Sequence, residues 1–188
     1  MGTLKINTTR FGDIEVDEQL VLNFKEPILG FENENRFVIL DHAEDSPFKW
    51  LQSADTPELA FVITNPKLFG MDYDFVLPQP IADQLSIKKA EEVLVVTIVN
   101  IPQGNPGQMT ANLLGPIVIN ETNRQAVQFV LSDSEYSTKT RLIPDEVLDK
   151  KPSPSGVSAG HMNPNVVLCC FLGGTNFPVL STGVLTRL

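Results

Sequence analysis

Short strand-like segments follow one another along this chain, with turn residues between each pair. Residues 4–8 (LKINT) alternate Leu4 and Ile6 with Lys5 and Asn7. Gly12-Asp13 then turns the chain into IEV at 14–16, which is a hairpin signal. LVLNF (20–24), RFVILD (36–41), FKWLQS (48–53) and LAFVIT (59–64) come next, each rich in β-branched or aromatic residues. Pro27, Gly30, the EDSP cluster at 44–47 and DTP at 55–57 separate them. VLVVTIV (93–99) is apolar at nearly every position and reads as a central strand. After PQGNPG (102–107) stand TANLL (110–114), PIVIN (116–120) and QAVQFVL (125–131). Strands this short, recurring about every 10 residues with turn chemistry between them, predict an antiparallel barrel or sandwich. Helix signals are few. PQPIADQLSI (78–87) has proline near its start and Ile81 and Leu85 four apart; PDEVLDK (144–150) predicts one further short helix. The expected fold is mainly β, a single-domain antiparallel β-barrel or sandwich with one or two short helices. Strand–helix alternation, which a parallel α/β sheet would need, is missing.

The 188 residues suffice for one well-packed domain. Formal net charge is -9, so a polyanion meets repulsion and direct nucleic-acid binding is not expected. The charge is unevenly placed. All 23 acidic residues lie at or before Asp149, and of the 14 bases only Lys150, Lys151 and Arg187 follow it. The chain therefore divides into a body, 1–149, and a linker with an apolar tail, 150–188. That tail reads as an extension too short to build a core, or as a peptide that packs on the body or a partner. Both cysteines, Cys169 and Cys170, are adjacent and in the tail, so neither a disulfide framework nor a cysteine zinc site is expected. No run has the length of a membrane span, and the first ten residues lack a signal peptide's apolar core. A reducing cytoplasm is the expected location.

Catalytic constellations are sparse. Only His42 and His161 can supply an imidazole base, and neither has a nucleophile motif beside it. GNPG (104–107) has no P-loop lysine and reads as a turn. One stretch, FVITNPKLFGMDYDFVLPQP (61–80), holds two readings. Asp72 and Asp74 bring two hard oxygen ligands together, as a metal-dependent hydrolase would need, but the further ligands of a calcium loop are missing. Alternatively Leu68, Phe69, Tyr73, Phe75 and Leu77 beside these acids suit a docking loop, the rings giving contact area and the acids steering. No cofactor motif is found.

FVITNP (61–66), DYDFVLP (72–78) and TANLLGPIVIN (110–120), supported by TTRFGDIEV (8–16), ILGFENENRFVIL (28–40), SPFKWLQS (46–53) and YSTKTRL (136–142), closely resemble the FliW family of flagellar assembly factors. The blocks keep their order over about residues 1–147. The departures are mild: Leu29 stands where the family usually has proline, and Gly115 where it often has alanine. The resemblance implies a small β-barrel-like fold, no enzymatic activity and no cofactor. It implies a bacterial cytoplasmic protein that binds flagellin and the RNA-binding translational repressor CsrA in alternation. Holding CsrA would free flagellin translation; accumulating flagellin would take the factor away. Carried over residue by residue, Thr64, Asn65 and Pro66 match the family's corner. Asp72, Tyr73 and Phe75 match its acidic-aromatic loop, and Asn112 and Pro116 its third block. These are the candidate partner-binding residues, with Asn65, Asp72, Tyr73 and Asn112 foremost. A flagellin chaperone that never touches CsrA is the alternative.

Overall fold

The structure is a computed structural model, which describes residues 2–132 and 134–144. The sequence expectations for a helix at 144–150, beyond Pro144, and for the linker and tail fall outside the described residues. Eleven strands and one short helix make up the described part: β1 Thr3–Thr8, β2 Gly12–Asp17, β3 Leu22–Phe24, β4 Arg36–Asp41, β5 Phe48–Ser53, β6 Ala60–Thr64, α1 Gln79–Gln84, β7 Val93–Asn100, β8 Thr110–Ala111, β9 Ile117–Asn120, β10 Gln125–Gln128 and β11 Thr140–Arg141. The molecule is mainly β, as the sequence predicts.

Seven strands close on themselves. Neighbours run β7–β6–β5–β4–β3–β10–β9, and β9 pairs with β7 again through Val93–Val96. Closure satisfies the backbone donors and acceptors that open sheet edges leave bare. One pair departs from the antiparallel expectation: β10 lies parallel to β3, with Gln125 opposite Asn23 and Ala126 opposite Phe24. Parallel neighbours need a long connection, and here about a hundred residues separate the two strands, so no local signal announces the pairing.

Alternation fills the barrel. Leu22, Phe24, Phe37, Leu51, Ile63, Val96, Ile117, Ile119 and Ala126, drawn from all seven ring strands, form one buried cluster with Ile28. Side chains two apart on each strand point inward together, which is why Ile117 and Ile119 join the core as a pair.

The outer face is also apolar, and three covers lie on it. The β1–β2 hairpin packs Ile6, with Leu4, Ile14 and Val16, against Val38 and Leu40 of β4. Helix α1 and the residues after it place Leu85, Ile81 and Ile87 on Val118 and Val127 of β9 and β10. The loop after β6 packs Tyr73, Phe69 and Met71 with Val99, Met109, Leu113 and Leu142. Among the described residues no helix is long and apolar enough to cross a membrane.

A corner, a clamped loop and two grooves

The loop after β6 begins with a corner whose residues hold one another. Thr64 is buried and its Oγ1 donates to the Pro47 carbonyl at 2.7 Å. Asn65 caps the following 3-10 turn, its Oδ1 accepting from the Lys67 backbone N–H at 3.0 Å. Pro66 fits the first turn position, where a backbone N–H would have no partner within the turn and proline has none to leave bare. Gly70 ends the turn at φ 69°, in the left-handed region that glycine enters without strain.

From residue 71 the chain is extended but joins no sheet. Its period of two still sorts side chains by face. Asp72, Asp74 and Val76 are exposed; Tyr73, Phe75 and Leu77 turn toward the barrel. Tyr73 is 3% exposed and its hydroxyl donates to the Leu113 carbonyl at 2.7 Å. Burial pushes its phenol well above the ordinary tyrosine range, and the neighbouring Tyr136 adds to the shift. Tyr136 clamps the same loop from outside: its hydroxyl accepts from the Asp74 N–H at 3.2 Å and donates to the Asp74 carbonyl at 3.0 Å. The two tyrosine rings meet edge-on with centroids 4.7 Å apart, and Phe75 and Phe129 continue the cluster.

The acids divide in their roles. The Asp74 carboxylate accepts from Lys67 Nζ at 2.7 Å. That hydrogen bond and the attraction between the charges hold Asp74 below its ordinary pKa and raise Lys67. Asp72 is exposed beside them. Among the described residues no group of three or more His, Cys, Asp or Glu is gathered for a metal ion.

Between this loop and the barrel lies a pocket of about 490 Å³. Its floor is the outward face of β7 and β9, Val93, Val95 and Val118; Tyr73, Phe75 and Leu77 line it from the loop. Asn65, Lys67 and Asp74 supply its polar lining. Such a cavity takes an apolar side chain while the polar lining orients its carrier.

The eight residues singled out by sequence thus separate. Asn65, Tyr73 and Phe75 line one pocket. Thr64, Pro66, Tyr73 and Pro116 are buried, and Asn65, Phe75 and Asn112 are half-buried. Asn112 turns its Oδ1 onto the Gly115 N–H at 3.0 Å, shaping the turn into β9. Asp72 alone of the eight is fully on the surface. Sequence reasoning did not single out Lys67, Val93, Val95 or Tyr136. The near-continuous apolar run VLVVTIV holds the signal for the valines, since a barrel strand that is apolar on both faces needs a cover on its outward one.

A second groove, of about 450 Å³, lies across the outward faces of β5, β6 and β7. Trp50 stands in it, half-buried, with Arg10 over its ring at 4.1 Å and its Nε1 donating to His42 Nδ1 at 3.0 Å. The corner turn stands between the grooves: Asn65 and Lys67 line the first, and Phe69 packs on Phe48, which lines the second.

Comparison with known proteins adds an independent line. The family model described as FliW protein matches residues 5–142. A flagellar assembly factor FliW of Magnetococcus marinus is 38% identical over 160 residues, covering 85% of this chain and 98% of that protein. One from Caldanaerobacter subterraneus is 41% identical over 137 residues, covering 72% and 91%. A crystal structure of a flagellar assembly factor FliW superposes with a TM-score of 0.69 at 37% identity, covering 74% of this chain and 97% of the other.

Proposed function

The chain belongs to the FliW family of flagellar assembly factors, and from that premise we propose that it acts by binding two proteins in alternation, flagellin and the translational repressor CsrA. It holds no substrate and turns nothing over; it works in the cytoplasm as a regulator that keeps CsrA from its RNA while flagellin is being exported. When flagellin accumulates it claims the factor, and CsrA returns to repression.

The observation that carries this reading is the pocket beneath the corner loop, preformed and apolar on the surface of a protein with net charge -9. An RNA-binding repressor is necessarily rich in lysine and arginine where it meets phosphate. An acidic partner is drawn to such a surface, and an apolar pocket supplies the contact that long-range charge does not. Asp72 and Asp74, exposed beside the pocket, belong to that steering surface.

Calorimetric titration of the full chain with each purified protein tests the proposal. Saturable binding of both is expected; a folded chain that binds neither contradicts it, and one that binds flagellin alone leaves the chaperone reading. Reversing both charges, Asp72→Lys with Asp74→Lys, is expected to slow association with CsrA and flatten its salt dependence. Both side chains are exposed, so the fold should keep its melting temperature. An unchanged association rate removes the loop from the steering surface.

A further inference from the structure

The groove around Trp50 has an origin in the barrel's own register. A row of outward side chains crosses five adjacent strands: Leu40 opposite Trp50, Trp50 opposite Val62, Val62 opposite Val99, and Val99 opposite Ala111. Leu40 lies beneath the β1–β2 hairpin, and Val99 and Ala111 are buried under the cover on the other side. Trp50 and Val62, between the two covers, remain half-buried. Ile101 continues the apolar lining and is 39% exposed.

The polar lining of this groove differs from that of the first. Among the described residues its ionisable lining is Arg10 and His42 with no carboxylate, although the chain as a whole carries 23 acids. Arg10 is placed deliberately by the hairpin tip. The three-residue loop 9–11 is closed by Thr8, whose Oγ1 accepts from the Phe11 N–H at 2.8 Å and donates to the Gly12 carbonyl at 3.0 Å. Gly12, paired with Thr8 where the second strand begins, takes φ 71°, in the left-handed region that glycine enters without strain. Phe11 then meets Trp50 edge-on at 6.1 Å, and Arg10 lies over the indole. Stacked on the ring, the guanidinium keeps its donors free at the edge for a carboxylate. Trp and Arg together on a partly open apolar floor make the composition found at the energetic centre of protein interfaces.

We propose that this groove is a second docking site, separate from the pocket under the corner loop, and that its occupant is flagellin, through a segment that sets an apolar side chain beside a carboxylate. The assignment rests on the two-partner reading above and deepens it. A repressor that must present cationic groups to RNA is disfavoured by a groove that presents the Arg10 guanidinium, whereas a carboxylate-bearing segment is favoured by it. The two partners then occupy different grooves on either side of Pro66–Phe69, and their mutual exclusion passes through that turn.

Trp50 is the single tryptophan of the chain, so the groove carries its own probe. Full-length protein labelled with fluorotryptophan gives one fluorine resonance. Saturating flagellin, in direct contact with the ring, is expected to shift it more than saturating CsrA, which reaches it only through the turn. Arg10→Glu, an exposed substitution that spares the core, is expected to weaken flagellin binding at least about tenfold, as loss of an interface anchor does, and CsrA binding by less than about twofold. A flagellin affinity unchanged in Arg10→Glu, or a resonance that answers CsrA and not flagellin, overturns the second site while leaving two-partner binding intact. Failure of the unmodified chain to bind flagellin overturns both.

Discussion

A single phenol hydroxyl ties the loop of residues 71–78 to the turn before β9, since Tyr73 donates to the Leu113 carbonyl from a position 3% exposed. Tyr73→Phe keeps the ring and strands that carbonyl, so a loss of about 1–3 kcal/mol is expected in denaturant unfolding at neutral pH. The hydroxyl also sets a pH dependence. The folded phenol keeps its proton to higher pH than the unfolded one, so the native state holds more protons once the unfolded tyrosine titrates near its ordinary value of 10.0. Stability should therefore fall as pH rises above about 10, and Tyr73→Phe should flatten that fall. An equally steep alkaline loss in the variant would place its cause elsewhere. Thr97 offers the opposite test. It is fully buried on the outward face of β7, and its Oγ1 has no hydrogen-bond partner among the described residues. Thr97→Val exchanges an unpaired hydroxyl for a methyl of similar size and is expected to gain about 1 kcal/mol in the same unfolding measurement. Asn120 shows how a polar residue is buried without such a cost: its Nδ2 donates to the Leu85 carbonyl at 2.9 Å, holding the end of α1, and its Oδ1 accepts from the Thr122 N–H.

At the scale of elements, the corner loop is the feature most legible in the sequence and least legible in its contacts. TNP reads as a turn from composition, and the alternation of DYDFVL assigns Asp72 and Asp74 to one face and Tyr73 and Phe75 to the other. Nothing local says which face meets solvent. That is decided by Leu113 and Tyr136, 40 and 62 residues away, whose groups bond the loop. Strand bounds follow directly from the apolar and aromatic runs RFVILD and FKWLQS, which match β4 and β5 residue for residue. The strands are shorter than composition suggests where the chain leaves the sheet, as at TANLL, of which only Thr110–Ala111 is a strand, and at LVLNF, whose first residue ends a 3-10 turn. The clamp itself makes a prediction. Tyr136→Phe removes both hydrogen bonds to Asp74 and leaves the Tyr73 anchor in place. Amide exchange at Asp74 is expected to rise by at least about tenfold while global stability changes little, because the segment opens locally. Unchanged exchange at Asp74 would show that Tyr73 alone holds the loop.

At the scale of the whole molecule, closure of seven strands into a ring gives a core to which every strand contributes, and it leaves an apolar outer face that must be covered in pieces. The inner core tolerates little: Phe37→Ala, at a fully buried site, is expected to cost about 3–5 kcal/mol, read from its denaturation midpoint. Among the described residues, the outer face holds the two grooves, which lie between the hairpin, α1 and the corner loop. Neither groove was visible in the sequence. They arise from the register that sets side chains of β4 through β9 side by side on the outer face, which no short-range pattern encodes. Two grooves flanking one turn suit a protein that answers two partners, since occupancy of one can alter the other, and any such coupling acts equally in both directions. The most direct test of the central claim is to titrate flagellin into a preformed complex of the full chain with CsrA, following CsrA release by its return to RNA. Stoichiometric release of CsrA, with its RNA binding restored, is the predicted result. A stable ternary complex, with CsrA still kept from RNA at saturating flagellin, would contradict the account.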